Sequence, residues 1–109
     1  MPTVEFRRSA QVTLDAIGAG TVRLAPSARD WTIRGMSVNV STAVAEAKCV
    51  VCADHVGDFY IVDSTRTGSS GDTSDTIHTV PDGHCLYVVW QDGDPGAIAS
   101  VTYYGDETS

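Results

Sequence analysis

Two strong strand signals joined by a tight reversal dominate the C-terminal third of this 109-residue chain. The first, His84-Cys-Leu-Tyr-Val-Val-Trp90, is followed by Gln91-Asp-Gly-Asp-Pro-Gly96. The second is Ala97-Ile-Ala-Ser-Val-Thr-Tyr-Tyr104. β-Branched and aromatic runs punctuated by Asp-Gly and Pro-Gly suit an antiparallel sheet and give a helix nothing to use. A polar, glycine-rich loop precedes the pair, Gly68-Ser-Ser-Gly-Asp-Thr-Ser-Asp75.

The rest of the chain repeats the pattern. Strands are expected at 3–8 and 11–16 with a short break at Ser9-Ala10, then at 21–25, 31–41, 48–54, 59–64 and around 76–80. The 31–41 run shifts phase: Trp31 and Ile33 share one parity, Met36, Val38 and Val40 the other. Gly35 between them is the natural place for a bulge. Residues 42–47 are the one helix-permissive piece, and a connection between strands is the favoured reading. The tail 106–109 is expected to fray.

About eight short strands with regular turns predict an all-β fold: a single antiparallel two-sheet sandwich, jelly-roll-like, spanning 1–109 as one domain. A chain this long buries somewhat over ~60% of its unfolded surface, enough for its own core. That core is expected to draw on Val12, Leu14, Val22, Leu24, Trp31, Ile33, Val38, Val40, Val51, Ile61, Leu86, Val88, Trp90, Ala99 and Val101.

Charge narrows the function. Fourteen acids against seven bases give a net of −7, and Lys48 is the only lysine. Affinity for phosphate backbones comes mainly from Lys and Arg, so nucleic acid is disfavoured. No apolar run approaches the roughly 20 residues that span a bilayer, and 1–30 contains no signal-peptide core; synthesis in a cytoplasm and no membrane partner are expected. Three cysteines, an odd number, do not form a disulfide scaffold.

The candidate chemistry is thin. Cys49-Val-Val-Cys52, with His55, His84 and Cys85, has nominal zinc-ligand spacing. Two valines inside a strand send residues i and i+3 to opposite faces, however, so buried structural thiols are the favoured reading. The acids Asp54, Asp58, Asp72, Asp75, Asp92 and Asp94 lie in turns, where aspartate already has a local role, and none fits an EF-hand. No nucleophile elbow accompanies the serines, and His78 and His84 are expected at the surface of the Pro81-Asp-Gly83 turn. Neither an enzyme nor a cofactor is indicated. The adjacent Tyr103 and Tyr104 must point to opposite faces, and an exposed tyrosine near a sheet edge suits a protein interface.

From Trp31 onward the order of parts is distinctive. It runs Trp31-Thr-Ile-Arg-Gly-Met-Ser-Val-Asn-Val-Ser-Thr42, a strand at 49–53, Asp63-Ser-Thr65 and Gly71-Asp-Thr-Ser-Asp75. It closes with Gly83-His-Cys-Leu-Tyr-Val-Val-Trp90 and Gly93-Asp-Pro-Gly-Ala-Ile-Ala-Ser-Val-Thr102. Over about two-thirds of the chain this resembles the small β-sandwich virion structural proteins of tailed bacteriophages of actinobacteria. The resemblance implies a capsid decoration protein on the virion surface, or a minor tail protein, with the major capsid protein as partner and homotrimers at local threefold positions. The segment 1–8 would then touch the shell. Phe6, Arg7 and Arg8 hold the densest positive charge, and with Tyr103 and Tyr104 they form the expected interface. The competing reading is a tail-associated or host-surface carbohydrate-binding sandwich using loops 55–58, 66–76 and 91–96. A small hydrolase working through His78 or His84 ranks last.

Overall fold

The structure, a computed structural model, describes residues 3–26, 28–41, 48–65, 72–74 and 77–108. Nine strands make up the described chain: β1 (Thr3–Thr13), β2 (Gly20–Leu24), β3 (Asp30–Val40), β4 (Lys48–Ala53), β5 (Ile61–Thr65), β6 (Asp72–Ser74), β7 (His78–Val80), β8 (Leu86–Gln91) and β9 (Ile98–Thr108). A single 3₁₀ turn, Asp58–Tyr60, leads into β5. The expected helix-permissive stretch 42–47 lies outside the described residues, as does most of the polar loop 68–75.

All pairings are antiparallel and they nest. β1 pairs with β9, β2 with β8, and β4 with β5, while β6 and β7 share one edge of β3. β9 then joins β3, and β8 joins β4. The result is one sheet ordered β1-β9-β3-(β6, β7) and a second ordered β2-β8-β4-β5. A long hairpin wound up on itself in this way is the jelly roll, and with β6 and β7 in a single rank it has the eight ranks expected.

Register explains the core. In the second sheet Val22, Val88 and Val51 form one inward row, and Leu24, Leu86 and Ala53 the next. The first sheet answers with Ala10–Val101–Val38 and Val12–Ala99–Val40. Every other residue of each strand turns outward, as the pleat requires. The bulge falls where the sequence placed it: the β3–β9 register shifts between Ile33 and Gly35, so Ile33 and Met36 both face the core.

Several expectations need correction. Residues 3–8 and 11–16 are not two strands; β1 runs unbroken through Ser9 and Ala10, which pair with Thr102 and Val101. The tail does not fray through Thr108, because Asp106 to Thr108 continue β9 between β1 and β3. Ile61 is 38% exposed and leaves the core; it opens β5 at the outer edge of its sheet, where the register with β4 also shifts. Val12 is only partly buried. Met36, Cys49, Val80, Ala97 and Tyr103 complete the core instead. The polar loop contributes the short strand β6, which had no sequence signature.

Candidate functional site

The five expected interface residues separate onto two faces of one sheet. β1 alternates, so Phe6 and Arg8 point inward while Arg7 points outward. β9 alternates likewise: Tyr103 is buried and Tyr104 exposed. Inside, Phe6 packs 5.2 Å from the Trp31 ring and 5.9 Å from Tyr103. Burial pushes the Tyr103 hydroxyl pKa up. Phe6, Arg8 and Tyr103 thus pack against one another and Trp31 within the monomer. Arg7 and Tyr104 meet outside, the guanidinium 5.8 Å from the ring centroid.

Arg8 is held by a residue the sequence reading passed over. Glu107 accepts the Trp31 indole N–H at 3.0 Å and an Arg8 N–H at 2.6 Å, with Arg29 3.7 Å away. The Trp31 hydrogen bond, then Arg8 and Arg29, hold the Glu107 carboxyl below the usual glutamate range despite its partial burial. Arg8 also lies over the Phe6 and Trp31 rings at 5.0 and 5.3 Å. The only signal in the sequence is Glu107 sharing parity with Tyr103, which is legible only once β9 is known to reach it.

On the outer face, register builds a patch across β1, β9 and β3. Its rows are Ser9–Thr102–Ser37 and Gln11–Ser100–Asn39, closed by Thr13 beside Ile98. No charged side chain stands in these rows, although the chain carries fourteen acids. Toward the other end Arg7, Arg34, Glu5, Phe6, Tyr104 and Gly105 line an open groove of about 430 Å³. There Arg34 pairs with Asp106 at 3.3 Å and approaches Glu5 at 3.9 Å. Arg7 has no carboxylate partner among the described residues. The Tyr104 ring covers Gly35, at the bulge, where a side chain would displace it.

A second cluster sits where β4 ends. Asp54, at φ 66°, accepts the Cys85 backbone N–H at 3.0 Å and lies 3.0 Å from His84 Nδ1. These two contacts, His84 first, lower the Asp54 pKa. Arg23 opposes Tyr87 across β2 and β8, and hydrogen bonding to Tyr87 and then the Cys85 thiol keep it more firmly protonated. An aspartate orienting an imidazole is half of a hydrolytic triad. Among the described residues, no serine or threonine hydroxyl is hydrogen-bonded to His84. His78, expected at the surface, is 7% exposed in β7, on the other sheet. The two histidines share no site.

All three cysteines are buried and none is in a disulfide. Cys49 joins the core beside Trp90; Cys52 lies on the opposite side of the sheet beside Tyr87, its thiol 3.8 Å from the Gly57 carbonyl oxygen. The expectation that one would face outward holds, but the outward one is covered as well. No group of three His, Cys, Asp or Glu able to hold a metal occurs among the described residues. Loops 55–58 and 91–96 lie at opposite ends of β8: the first follows Asp54 beside Cys85, and the second begins at Gln91. They do not converge on one ligand.

Comparison with family models, with curated proteins and with solved structures gives no match. The surface is left to carry the argument.

Proposed function

We propose that the chain is a structural protein of a bacteriophage virion, a capsid decoration protein that binds the outer surface of the major capsid shell. The observation that carries the reading is the pair of uncharged rows, Ser9–Thr102–Ser37 and Gln11–Ser100–Asn39, on the outer face of β1, β9 and β3, with Arg7 and Tyr104 in the next row. Docking such a patch requires stripping its water, and carboxylates resist that far more than hydroxyls and amides do. A chain with net charge −7 that keeps its acids out of two adjacent rows spanning three strands has a patch suited to being covered. Arg and Tyr are also the side chains enriched where protein surfaces meet. The sequence resemblance points to the same class.

The test is occupancy. The protein should co-purify with particles in a fixed, high copy number. T102E and S100E place a charge in the middle of the patch and should weaken binding to the particle at least about tenfold, about 1.4 kcal/mol, and lower the occupancy accordingly. Unchanged occupancy in folded variants overturns the reading.

One observation favours a second reading, a tail-associated or host-surface carbohydrate-binding module. The groove beside Tyr104 has the volume of a small-ligand site and offers an aromatic face with arginines on either side. Binding of the isolated domain to a glycan array, lost in Y104A, would favour that reading over decoration.

A further inference from the structure

Among the described residues, β1 is the longest sheet edge of the jelly roll. β2 and β5 have five residues each and β6 and β7 three, whereas β1 has eleven. β1 pairs with β9 without a register shift and pairs with no other described strand. It contains no proline. Natural proteins blunt long edges with proline, bulges or charges, and only the last device is present here. Those charges are patterned.

We infer that β1 pairs antiparallel with β1 of a second copy, about a twofold axis through Phe6. For two copies to keep their outer faces on one side of a joined sheet, facing residues must share parity, so the axis passes through a residue. Centring on Glu5, Arg7 or Arg8 sets like charges against each other. Centring on Ser9 opposes Arg7 to Gln11 and Glu5 to Thr13, which pairs no charges. Centring on Phe6 sets Glu5 opposite Arg7 of the second copy, and Arg7 opposite Glu5, both on the outer face.

The monomer leaves these two groups available. Arg7 has no carboxylate partner among the described residues, and Glu5 is 87% exposed with one contact, to Arg34 at 3.9 Å. The same register lays Val4, 50% exposed, beside the aliphatic stem of Arg8 of the second copy, and Thr3 beside Ser9. Phe6 meets its own copy, extending the ring cluster it forms with Trp31 and Tyr103. An isologous pair of this kind closes on itself and adds no free edge. It joins the outer faces of two copies into one surface, with the paired Glu5 and Arg7 side chains at the seam. The inference stands apart from the decoration role, since it requires no particle.

Sedimentation velocity of the full chain, from low micromolar to millimolar concentration, reads the outcome. Wild type is expected to form dimers. E5R and R7E, each of which creates two like-charge oppositions, are expected to weaken self-association at least about tenfold. Mixing the E5R and R7E proteins is expected to give a heterodimer, and the E5R/R7E double variant to dimerise again. Thermal melts of each variant separate loss of fold from loss of contact. A wild type that stays monomeric overturns the inference. So does a trimer, single variants that dimerise like wild type, or a mixture of the two that stays monomeric.

Discussion

The Trp31 indole N–H donates to the Glu107 carboxylate at 3.0 Å, and this contact closes one end of the sandwich. Trp31 begins the long central strand β3, and Glu107 stands directly opposite it near the end of β9. Arg8 and Arg29 converge on the same carboxylate from β1 and from the segment before β3. E107A leaves a buried indole N–H without an acceptor and two arginines without a counter-charge. It is expected to lower unfolding stability by on the order of 1–3 kcal/mol in urea denaturation. E107Q keeps an acceptor for the indole and should lose less. If E107A is as stable as wild type, the contact contributes nothing.

The same carboxylate gives a pH dependence with a definite sign. Glu107 is held below its ordinary 4.5 and Asp54 below its ordinary 3.8. A depressed folded pKa means that the unfolded chain takes up the proton first. The stabilisation is therefore present above those ordinary values and is lost as pH falls through them toward the folded ones. Wild type should be more stable than E107Q at neutral pH, and the gap should narrow steadily on acidification below about 4.5. Denaturation midpoints for both proteins across that range would show it; a constant gap would contradict the assigned cause.

Much of this fold is legible in the sequence, for a physical reason. Strands buried on one face record their register as alternation, so Val22, Leu24, Val38, Val40, Val88 and Trp90 could be placed in the core from parity alone. The bulge at Gly35 was readable because it changes that parity. What could not be read depends on partners distant in sequence. Ser9 and Ala10 look like a break until β9 is laid beside them, and residues 106–108 look like a tail until β1 and β3 enclose them. The outer patch was invisible for the same cause. Ser9, Thr102 and Ser37 are ordinary polar residues until pairing puts them in one row.

Gly105 tests how tightly that pairing is set. A methyl group on it would overlap the Thr32 carbonyl oxygen and come within 2.8 Å of the Ile33 Cα, backbone atoms with no freedom to swing aside. G105A should destabilise by about 3 kcal/mol or more, the upper range for overpacking a filled interior. G35A comes closest to the Tyr104 ring, a side chain that is partly exposed and can swing aside, and should cost far less. Thermal melts that rank the two variants the other way would show that the bulge, not Gly105, sets the close approach.

Asp54 offers a test of a strained turn. Its φ of 66° lies in the left-handed region, which asparagine and aspartate tolerate best among residues with a side chain, and its carboxylate accepts the Cys85 N–H. D54N preserves both features and should melt close to wild type. D54A loses the acceptor and retains the strain, and should melt lower. H84A removes only the imidazole contact at the surface and should fall between them. Equal melting of D54N and D54A would mean that the carbonyl-type acceptor is dispensable.

The cysteines give the last prediction, because the fold treats them alike although the chain places them differently. Cys49 faces the core, Cys52 faces the opposite side of the same strand, and Cys85 precedes β8, yet all three are buried. A thiol reacts as its thiolate and only when reagent reaches it. In the native protein a water-soluble disulfide reagent should therefore modify none of the three quickly, with reaction limited by local opening. In denaturant all three thiols should react at once, since the chain has three cysteines and none is in a disulfide. Cys85, next to the exposed His84 and with its backbone held by Asp54, should be the first to open, and D54A should accelerate its reaction without changing that of Cys49. Modification of Cys49 ahead of Cys85 would show that the interior opens before the turn that Asp54 holds.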